Sequence, residues 1–291
     1  METLVTSRDT AILLDLYHYR YLSFSQLARL HFPSHSSAYQ RLRILKREGL
    51  VKTFHAPAIS ERIFYLDTEG AKLVAAELDT AVDDLSWYRY TKTPKDYYYL
   101  RHFLAINDFR ILITQVCESD VQKSDAHPIS LLGFIPEYIG EKTKEGHVKK
   151  YLRDTVKEYS HTPDAVFALE KGGNTALFFL EIDRGLETVS DPEKGFLKCV
   201  IFYLHYFVAR KYERYETDFG APFKSVRTLV VTPSEKRLTH MRQAVTNLAF
   251  HPAQAKRLLW GTIQEQATKE LLFETIWQSM DADDDKLYRI G

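Results

Sequence analysis

The segment Ser34-His-Ser-Ser-Ala-Tyr-Gln-Arg-Leu-Arg-Ile-Leu-Lys-Arg-Glu-Gly49 predicts a helix with two chemically different faces. Ser34 is a hydroxyl N-cap, and Gly49 supplies the left-handed residue that ends many helices. The apolar positions recur at helical spacing and define one face: Ala38, Leu42 and Leu45. The remaining positions are mostly polar or basic, so we expect one face to enter a core and the other to remain outside.

Two further helices are predicted upstream of this segment. Thr6-Ser-Arg-Asp9 and Ser23-Phe-Ser-Gln26 are capping boxes, each followed by leucines at helical spacing. Pro33 should end the second helix, because a proline disfavours helical geometry in the residue before it. The sequence therefore predicts three helices within its first fifty residues.

A β-hairpin is predicted to follow the third helix. Leu50–His55 and Arg62–Leu66 are rich in β-branched and aromatic residues, and a fourth helix over Thr68–Leu78 closes the unit. Three helices and a hairpin in this order are typical of a winged helix-turn-helix domain, which we place at residues 1–80. We expect a linker at residues 81–96.

Positive charge collects on the third helix and the strand after it. The whole chain has 39 basic and 39 acidic residues, so any DNA-binding surface must be a local patch. Glutamine and arginine side chains can read base edges, and lysines can bind phosphate. The predicted DNA-binding residues are Ser36, Ser37, Gln40, Arg41, Arg43, Lys46, Arg47 and Lys52. Among them, Gln40 and Arg41 are expected to read bases, and Lys46 and Arg47 to bind phosphate. The alternatives are a solvated helix and a protein-docking module.

Composition excludes several other classes of protein. The chain has 291 residues, of which 45% are hydrophobic and 27% are charged, and no apolar run is long enough to span a membrane. We therefore expect a cytoplasmic protein with no membrane partner. The two cysteines, Cys117 and Cys199, lie in apolar runs, which argues against a disulfide framework and against a metal site built on cysteine.

The second half of the chain predicts an α/β domain at residues 97–280. A long apolar helix over Tyr97–Glu118 opens it. The expected later elements are strands at Ile129–Ile139, Asp164–Leu169 and Ala176–Ile182, a helix at Glu193–Tyr212, a strand at Arg227–Thr232, a helix at Glu235–Leu248, a strand at Leu258–Ile263 and a helix at Glu265–Trp277. Residues 281–291, which include four aspartates, are expected to form a solvated acidic tail.

Carboxylates stand where two predicted strands meet. Asp164 begins one strand, and Glu181-Ile-Asp183-Arg184 ends the next, so strand pairing brings Asp164 towards Glu181. Alternation along the strand puts Glu181 and Asp183 on one face. Such a group either binds a hard cation such as Mg²⁺ or is neutralised by Arg184.

This arrangement resembles the core of the PD-(D/E)xK nuclease superfamily. Pro163-Asp164 and Glu181-x-Asp183 match its recurring residues, except that Asp183 stands where those nucleases have lysine. The resemblance implies Asp164 and Glu181 as ligands of Mg²⁺. It implies a catalytic set of Asp164, Glu181, Asp183 and a lysine of the following helix, Lys198 or Lys194. The other reading is a degenerate nuclease fold without catalysis.

The helix over Leu197–Val208 carries more aromatic residues than one core-facing stripe needs. They are Phe202, Tyr203, Tyr206 and Phe207. This excess suggests a surface buried against a second copy of the chain, and therefore a homodimer that reads two half-sites.

Several blocks of the sequence resemble the replication-relaxation family of plasmid, phage and integrative-element proteins. They are the opening Thr6-Ser-Arg-Asp-Thr-Ala-Ile-Leu13, Leu27-Ala-Arg-Leu-His-Phe-Pro-Ser34, the third-helix segment from Ser37 to Val51, His102-Phe-Leu-Ala-Ile-Asn-Asp108, Thr162-Pro-Asp-Ala-Val-Phe167 and Phe179-Leu-Glu-Ile-Asp-Arg-Gly185. The resemblance implies a role in replication or DNA processing of a mobile element. Our leading interpretation is a sequence-specific double-stranded DNA-binding protein. The alternatives are a magnesium-dependent nickase or endonuclease and an accessory protein that recruits a relaxase or replisome.

Overall fold

The computed structural model describes residues 5–56, 59–85, 87, 97–122, 127–142, 148–248 and 257–290. The chain divides into two units, Met1–Asp108 and Phe109–Gly291. The division falls within one long helix, whereas the sequence analysis assigned all of that helix to the second domain. Most of the predicted linker at 81–96 lies outside the described residues.

Unit 1 contains the predicted helices and hairpin in the predicted order. Its elements are α1 (Ser7–Tyr19), β1 (Leu22–Ser23), α2 (Phe24–His31), α3 (His35–Arg47), β2 (Val51–His55), β3 (Arg62–Leu66), α4 (Thr68–Glu77) and the first part of α5 (Tyr97–Gln122). The strands form one antiparallel sheet in the order β1-β3-β2.

Local sequence signals fix where these helices begin and end. In the first capping box the Thr6 backbone N–H donates to Asp9 Oδ2 over 2.7 Å, and in the second the Ser23 N–H donates to Gln26 Oε1 over 2.9 Å. Gly49 adopts a φ of +72° after α3, which is the left-handed conformation that the sequence predicted there. The hydrogen bonds at the starts of α1 and α2 confirm both predicted capping boxes.

The start of α5 is part of the core of unit 1. Leu100 and Leu104 pack in a cluster with Tyr21, Phe54 and Tyr65 of the hairpin region. The buried Asn107 donates from Nδ2 to the carbonyl oxygens of Tyr19 and Tyr21 over 3.1 and 2.8 Å. These contacts explain why the division between units falls inside the helix and not before it.

Unit 2 is built on a mixed sheet of seven strands in the order β14-β13-β12-β11-β10-β9-β4. The strands of this sheet are β4 (Ser130–Pro136), β9 (Ala165–Lys171), β10 (Asn174–Ile182), β11 (Phe223–Thr232), β12 (Leu259–Ile263), β13 (Trp277–Ser279) and β14 (Leu287–Tyr288). Two short hairpins are β5 (Gly140–Lys142) with β6 (Val148–Lys150), and β7 (Asp154–Val156) with β8 (Tyr159–His161). The helices are the second part of α5, α6 (Phe196–Val208), α7 (Tyr215–Phe219) and α8 (Glu235–Thr246). The pairs β10/β11 and β11/β12 are parallel, and the other pairs in the sheet are antiparallel.

The four aromatic residues of α6 are buried within unit 2 itself. Phe202, Tyr203, Tyr206 and Phe207 are at most 6% exposed and pack on Phe179 and its neighbours in β9 and β10. The aromatic excess that suggested a homodimer is therefore used by the core, and it carries no argument for a second chain.

The predicted helix over Glu265–Trp277 is wrong. Residues 264–275 make turns, and Trp277 begins strand β13, which pairs with β12. Leu272 and Trp277 are both fully buried, and the indole Nε1 donates to the Leu272 carbonyl over 3.2 Å. Pairing with the sheet edge overrides the helical spacing of the local sequence.

The prediction of a solvated acidic tail is also wrong. Asp281 and Asp284 are 8% and 4% exposed, and β14 adds the last strand to the sheet. Arg242 of α8 donates to the carbonyl oxygens of Asp281 and Asp284 over 3.0 and 2.7 Å. The Tyr288 hydroxyl donates to Asp284 Oδ2 over 2.7 Å. These hydrogen bonds fold Asp281 and Asp284 into the unit, whereas Asp283 and Asp285 are exposed.

Candidate functional site

Helix α3 presents a polar and basic face on the outside of unit 1. Its apolar face is buried as predicted, since Ala38, Leu42 and Leu45 are at most 1% exposed. Beyond the exposed His35 at the helix start, six exposed side chains follow helical spacing along the other side: Ser36, Tyr39, Gln40, Arg43, Lys46 and Arg47. We call these six residues the α3 face. Tyr39, which is 55% exposed, is the member that the sequence analysis did not identify.

Arg41 lies beside this face but is bound within unit 1. Its Nε donates to Asp9 Oδ1 over 2.7 Å, and its Nη2 donates to the second oxygen of the same carboxylate. Asp9 is fully buried, whereas the Arg41 side chain is 23% exposed. The predicted base-reading role of Arg41 does not fit this geometry, because its guanidinium neutralises a buried charge.

The other predicted DNA-binding residues differ in whether neighbouring residues bind their side chains. Lys52 Nζ pairs with Asp67 over 2.8 Å, and Arg47 pairs with the adjacent Glu48 over 2.8 Å at an exposed position. Ser37 is half-buried, and its hydroxyl donates to the Ser34 carbonyl at the start of the helix. Among the described residues, Arg43 and Lys46 form no ion pair.

The second candidate region lies where β9 and β10 end in unit 2. Ala165 pairs with Leu180 in the antiparallel register, which brings Asp164 beside the end of β10 as the sequence predicted. Asp164 is 8% exposed, and its Oδ2 accepts a hydrogen bond from the Ile182 N–H over 2.6 Å. Asp164 thus binds the backbone of the neighbouring strand.

Asp183 is bound by side chains from β11 and α8. Arg237 of α8 donates to both of its oxygens over 2.9 and 3.0 Å, and the Thr232 hydroxyl donates to Oδ2 over 2.9 Å. Arg237 therefore occupies both oxygens of Asp183, so this carboxylate is not available as the third ligand of a cation. Arg237, a partner that the sequence did not indicate, neutralises Asp183.

The proposed lysines do not join the acids either. Lys198 is exposed on α6, and Lys194 pairs with Asp191 over 3.4 Å. The α6 residues on this side are Cys199, which contacts His161, and Tyr203, which donates to Glu181; they are four positions apart on one side of the helix.

Glu181 sits at the centre of a compact polar cluster. Its Oε1 lies 2.7 Å from His161 Nε2 of β8 and also accepts a hydrogen bond from the Tyr203 hydroxyl. The Cys199 Sγ lies 3.5 Å from His161 Nε2. One ligand atom each from His161, Glu181 and Cys199 lies within 4.8 Å of the other two. We call these three residues the His–Glu–Cys cluster.

The carboxylate of Glu181 sets the protonation of its neighbours. Burial alone lowers the pKa of His161, but the adjacent charge of Glu181 and its hydrogen bond outweigh burial and raise that pKa. Burial, followed by the charge of Glu181, raises the pKa of Cys199 and that of Tyr203 well above their ordinary values. With no metal ion bound, the Cys199 thiol and the Tyr203 phenol therefore remain protonated at neutral pH.

The residues present do not fit a magnesium site. Mg²⁺ requires close to octahedral coordination by oxygen. Here Glu181 shares its surroundings with an imidazole and a thiol, and both oxygens of Asp183 bind Arg237. Asp164 is outside the group of metal-ligating side chains found among the described residues. We derive no catalytic step through Mg²⁺ at this position.

His161 and its contact with Cys199 were not predicted from the sequence. His161 stands three residues before Asp164, and Cys199 stands four before Tyr203, so both spacings were visible. What the sequence did not show is that the β7–β8 hairpin lies against α6. That contact places a histidine from outside the main sheet beside Glu181.

A protein-family model described as Replication-relaxation matches residues 13–217, a range that begins in α1 and ends in α7. It includes both the α3 face and the His–Glu–Cys cluster. None of the curated proteins compared with the chain matches it. No described helix is both long and apolar enough to cross a membrane.

Proposed function

The chain belongs to the replication-relaxation family, and we propose that within this family's role in mobile-element replication it acts by binding double-stranded DNA. Unit 1 is the DNA-binding part of this proposal, and α3 is the element that reads sequence. The observation that carries the proposal is the exposed, basic α3 face on a helix whose other face is buried.

The arrangement of unit 1 supports a winged helix-turn-helix assignment. Helices α1, α2 and α3 are followed by the β2–β3 hairpin, and α3 is the third helix, which in such domains enters the major groove. Its outward side chains lie on one stripe, because Ser36, Gln40, Arg43 and Arg47 are spaced at three or four residues. A stripe of this length can follow a groove over several base pairs.

The chemistry of the stripe suits different parts of a duplex. Gln40 offers the paired amide donor and acceptor that match adenine, and Arg43 offers the fork that matches guanine. Lys46 and Arg47, in the last turn, are suited to phosphate. Tyr39 adds an exposed ring that can contact a thymine methyl group or a sugar.

The proposal is tested by comparing selected and scrambled DNA. Duplexes that the full chain retains from a random library are labelled, and their affinity is measured by fluorescence anisotropy. Gln40→Ala and Arg43→Ala should each reduce the preference for the selected duplex by on the order of 1–3 kcal/mol. Lys46→Ala should weaken binding to both duplexes alike and reduce the salt dependence by about one unit of slope.

Lys72→Ala is the matched control for charge. Lys72 is 57% exposed on α4 and pairs with Glu69, so its removal takes one positive charge from unit 1 without changing the α3 face. Its affinity for both duplexes should equal that of the wild type. Equal losses for Lys72→Ala and Arg43→Ala would contradict the assignment of α3, as would equal binding of selected and scrambled DNA by the wild type.

The same preparation separates the alternatives. A nickase would convert supercoiled plasmid to open circles when Mg²⁺ is added, and Asp164→Asn would abolish that conversion. An accessory protein would bind DNA without cleaving it and would also bind a relaxase or replisome component through its second domain. Under our proposal the protein selects DNA, and magnesium leaves the plasmid supercoiled.

A further inference from the structure

We propose that the His–Glu–Cys cluster binds a transition-metal ion, with zinc as the metal it suits best. The cluster joins three separately placed elements, because His161 lies in β8, Glu181 in β10 and Cys199 in α6. The proposal concerns unit 2 and is independent of DNA binding by α3.

The spacing of the three ligand atoms matches a small tetrahedral site. Zinc bonds of about 2.0–2.3 Å place neighbouring ligand atoms about 3.3–3.8 Å apart. Cys199 Sγ and His161 Nε2 already lie at 3.5 Å, and all three atoms lie within 4.8 Å of one another. His161 and Glu181, now 2.7 Å apart through a hydrogen bond, need to separate by about 0.6 Å once an ion replaces the shared proton.

The chemical types of the three ligand atoms favour zinc over magnesium. Imidazole nitrogen, thiolate sulfur and carboxylate oxygen are the ligands of zinc, whereas magnesium takes oxygen alone. The ion takes the place of the Cys199 thiol proton, so the sulfur binds as a thiolate. Three protein ligands leave a fourth position for water or another ligand, as in zinc sites that are not closed.

The surroundings hold the carboxylate in place and leave a route for an ion. The Tyr203 hydroxyl donates to Glu181 and fixes its orientation, in the way that outer hydrogen bonds orient metal ligands. The side chains of His161 and Glu181 are 21% and 15% exposed, so the cluster is reached from solvent. A bound ion would tie the β7–β8 hairpin to α6 and to the end of β10.

Cobalt(II) is the probe, because a thiolate ligand to cobalt gives a charge-transfer band in the near ultraviolet. The chain has two cysteines, and Cys117 is buried in α5 away from the cluster, so Cys117→Ala leaves Cys199 as the sole thiol. The full chain is freed of metal with a chelator and titrated with Co²⁺, and Zn²⁺ is then added to displace it.

We expect the band to saturate at one equivalent of Co²⁺ in both the wild type and Cys117→Ala, and to disappear when Zn²⁺ is added. It should be absent in Cys199→Ala. Glu181→Gln and His161→Gln should weaken Zn²⁺ binding, measured by calorimetry, by at least about tenfold.

Absence of the band in folded wild-type protein at equimolar Co²⁺ would overturn the proposal, as would its loss in Cys117→Ala. Undiminished Zn²⁺ affinity in Glu181→Gln and His161→Gln would overturn it too. The wild-type and Cys117→Ala titrations decide the question even if Cys199→Ala fails to fold, because they alone establish whether Cys199 provides the thiolate.

Discussion

The sequence pattern gives Arg41 a surface position on α3, whereas in the structure its side chain binds a buried carboxylate. Helical spacing placed it near the outer face of α3, but Asp9 of α1 holds its guanidinium through two hydrogen bonds. Spacing within one helix cannot reveal a partner 32 residues away. The capping box at Thr6 did identify Asp9 as a residue of the helix start, but not its second role as the acceptor for Arg41.

Arg41→Ala should destabilise unit 1. The change leaves the fully buried Asp9 carboxylate without its guanidinium, and removing one partner of a buried pair costs about 3–5 kcal/mol. Arg43→Ala, on the exposed side of the same helix, should change the free energy of unfolding by less than about 0.5 kcal/mol. Urea denaturation followed by circular dichroism measures both, and similar values for the two variants would contradict the structural role of Arg41.

The cost of losing Arg41 should depend on pH. Burial alone raises the pKa of Asp9, but hydrogen bonds from Arg41 and Thr6 outweigh it and hold that pKa below its ordinary value of 3.8. A group with a lowered folded-state pKa stabilises the fold above its unfolded pKa and loses that effect as pH falls through the folded value. The difference in unfolding free energy between wild type and Arg41→Ala should therefore shrink on acidification, and a difference that stays constant would refute this origin.

The end of β10 shows how far strand alternation predicts a site. It correctly placed Glu181 and Asp164 near the junction of two strands, because strand register is a local property of a tight hairpin. It did not reveal that Asp183, which follows the last residue of the strand, binds Arg237 of α8. A helix 54 residues further along the chain lies outside what alternation can describe.

Arg237→Ala should loosen the attachment of α8 to the sheet. It leaves Asp183, whose side chain is 8% exposed, with the Thr232 hydroxyl and backbone donors, and we expect a loss of about 3–5 kcal/mol in unfolding free energy. Arg210→Ala removes an exposed arginine paired with Glu213 and should cost less than about 1 kcal/mol. Equal effects in thermal or urea denaturation would show that the Asp183–Arg237 pair contributes little.

We expect Asp164 to stabilise unit 2 through its hydrogen bond with the Ile182 N–H and not by binding a metal. Asp164→Ala removes the acceptor for the Ile182 N–H and should cost about 1–3 kcal/mol, whereas Asp164→Asn retains a carbonyl acceptor and should cost less. Melting curves of both variants should be the same with Mg²⁺ as with a chelator. A magnesium-induced rise in melting temperature in the wild type that vanishes in Asp164→Asn would restore the magnesium reading.

Across the chain, the sequence predicted the helices of unit 1 and the central strands of unit 2, because capping residues, glycine turns and apolar periodicity act locally. It did not predict the outer strands β13 and β14. Trp277 and Tyr288 become strand residues only because a sheet edge is there to pair with. Likewise, the neutral total charge did not indicate a basic surface, whereas the distribution of charge along α3 did.

The most direct test of the central claim is photo-crosslinking from the α3 face. Tyr39 is replaced by p-benzoylphenylalanine, and the full chain is irradiated with a labelled duplex that it has selected; the same replacement at Leu186, which is 78% exposed in unit 2, is the control. We predict crosslinks from position 39 that an excess of unlabelled selected duplex abolishes and scrambled duplex does not, with few from position 186. Bound DNA that fails to crosslink at position 39, or crosslinks equally at both positions, would contradict the claim that α3 reads DNA.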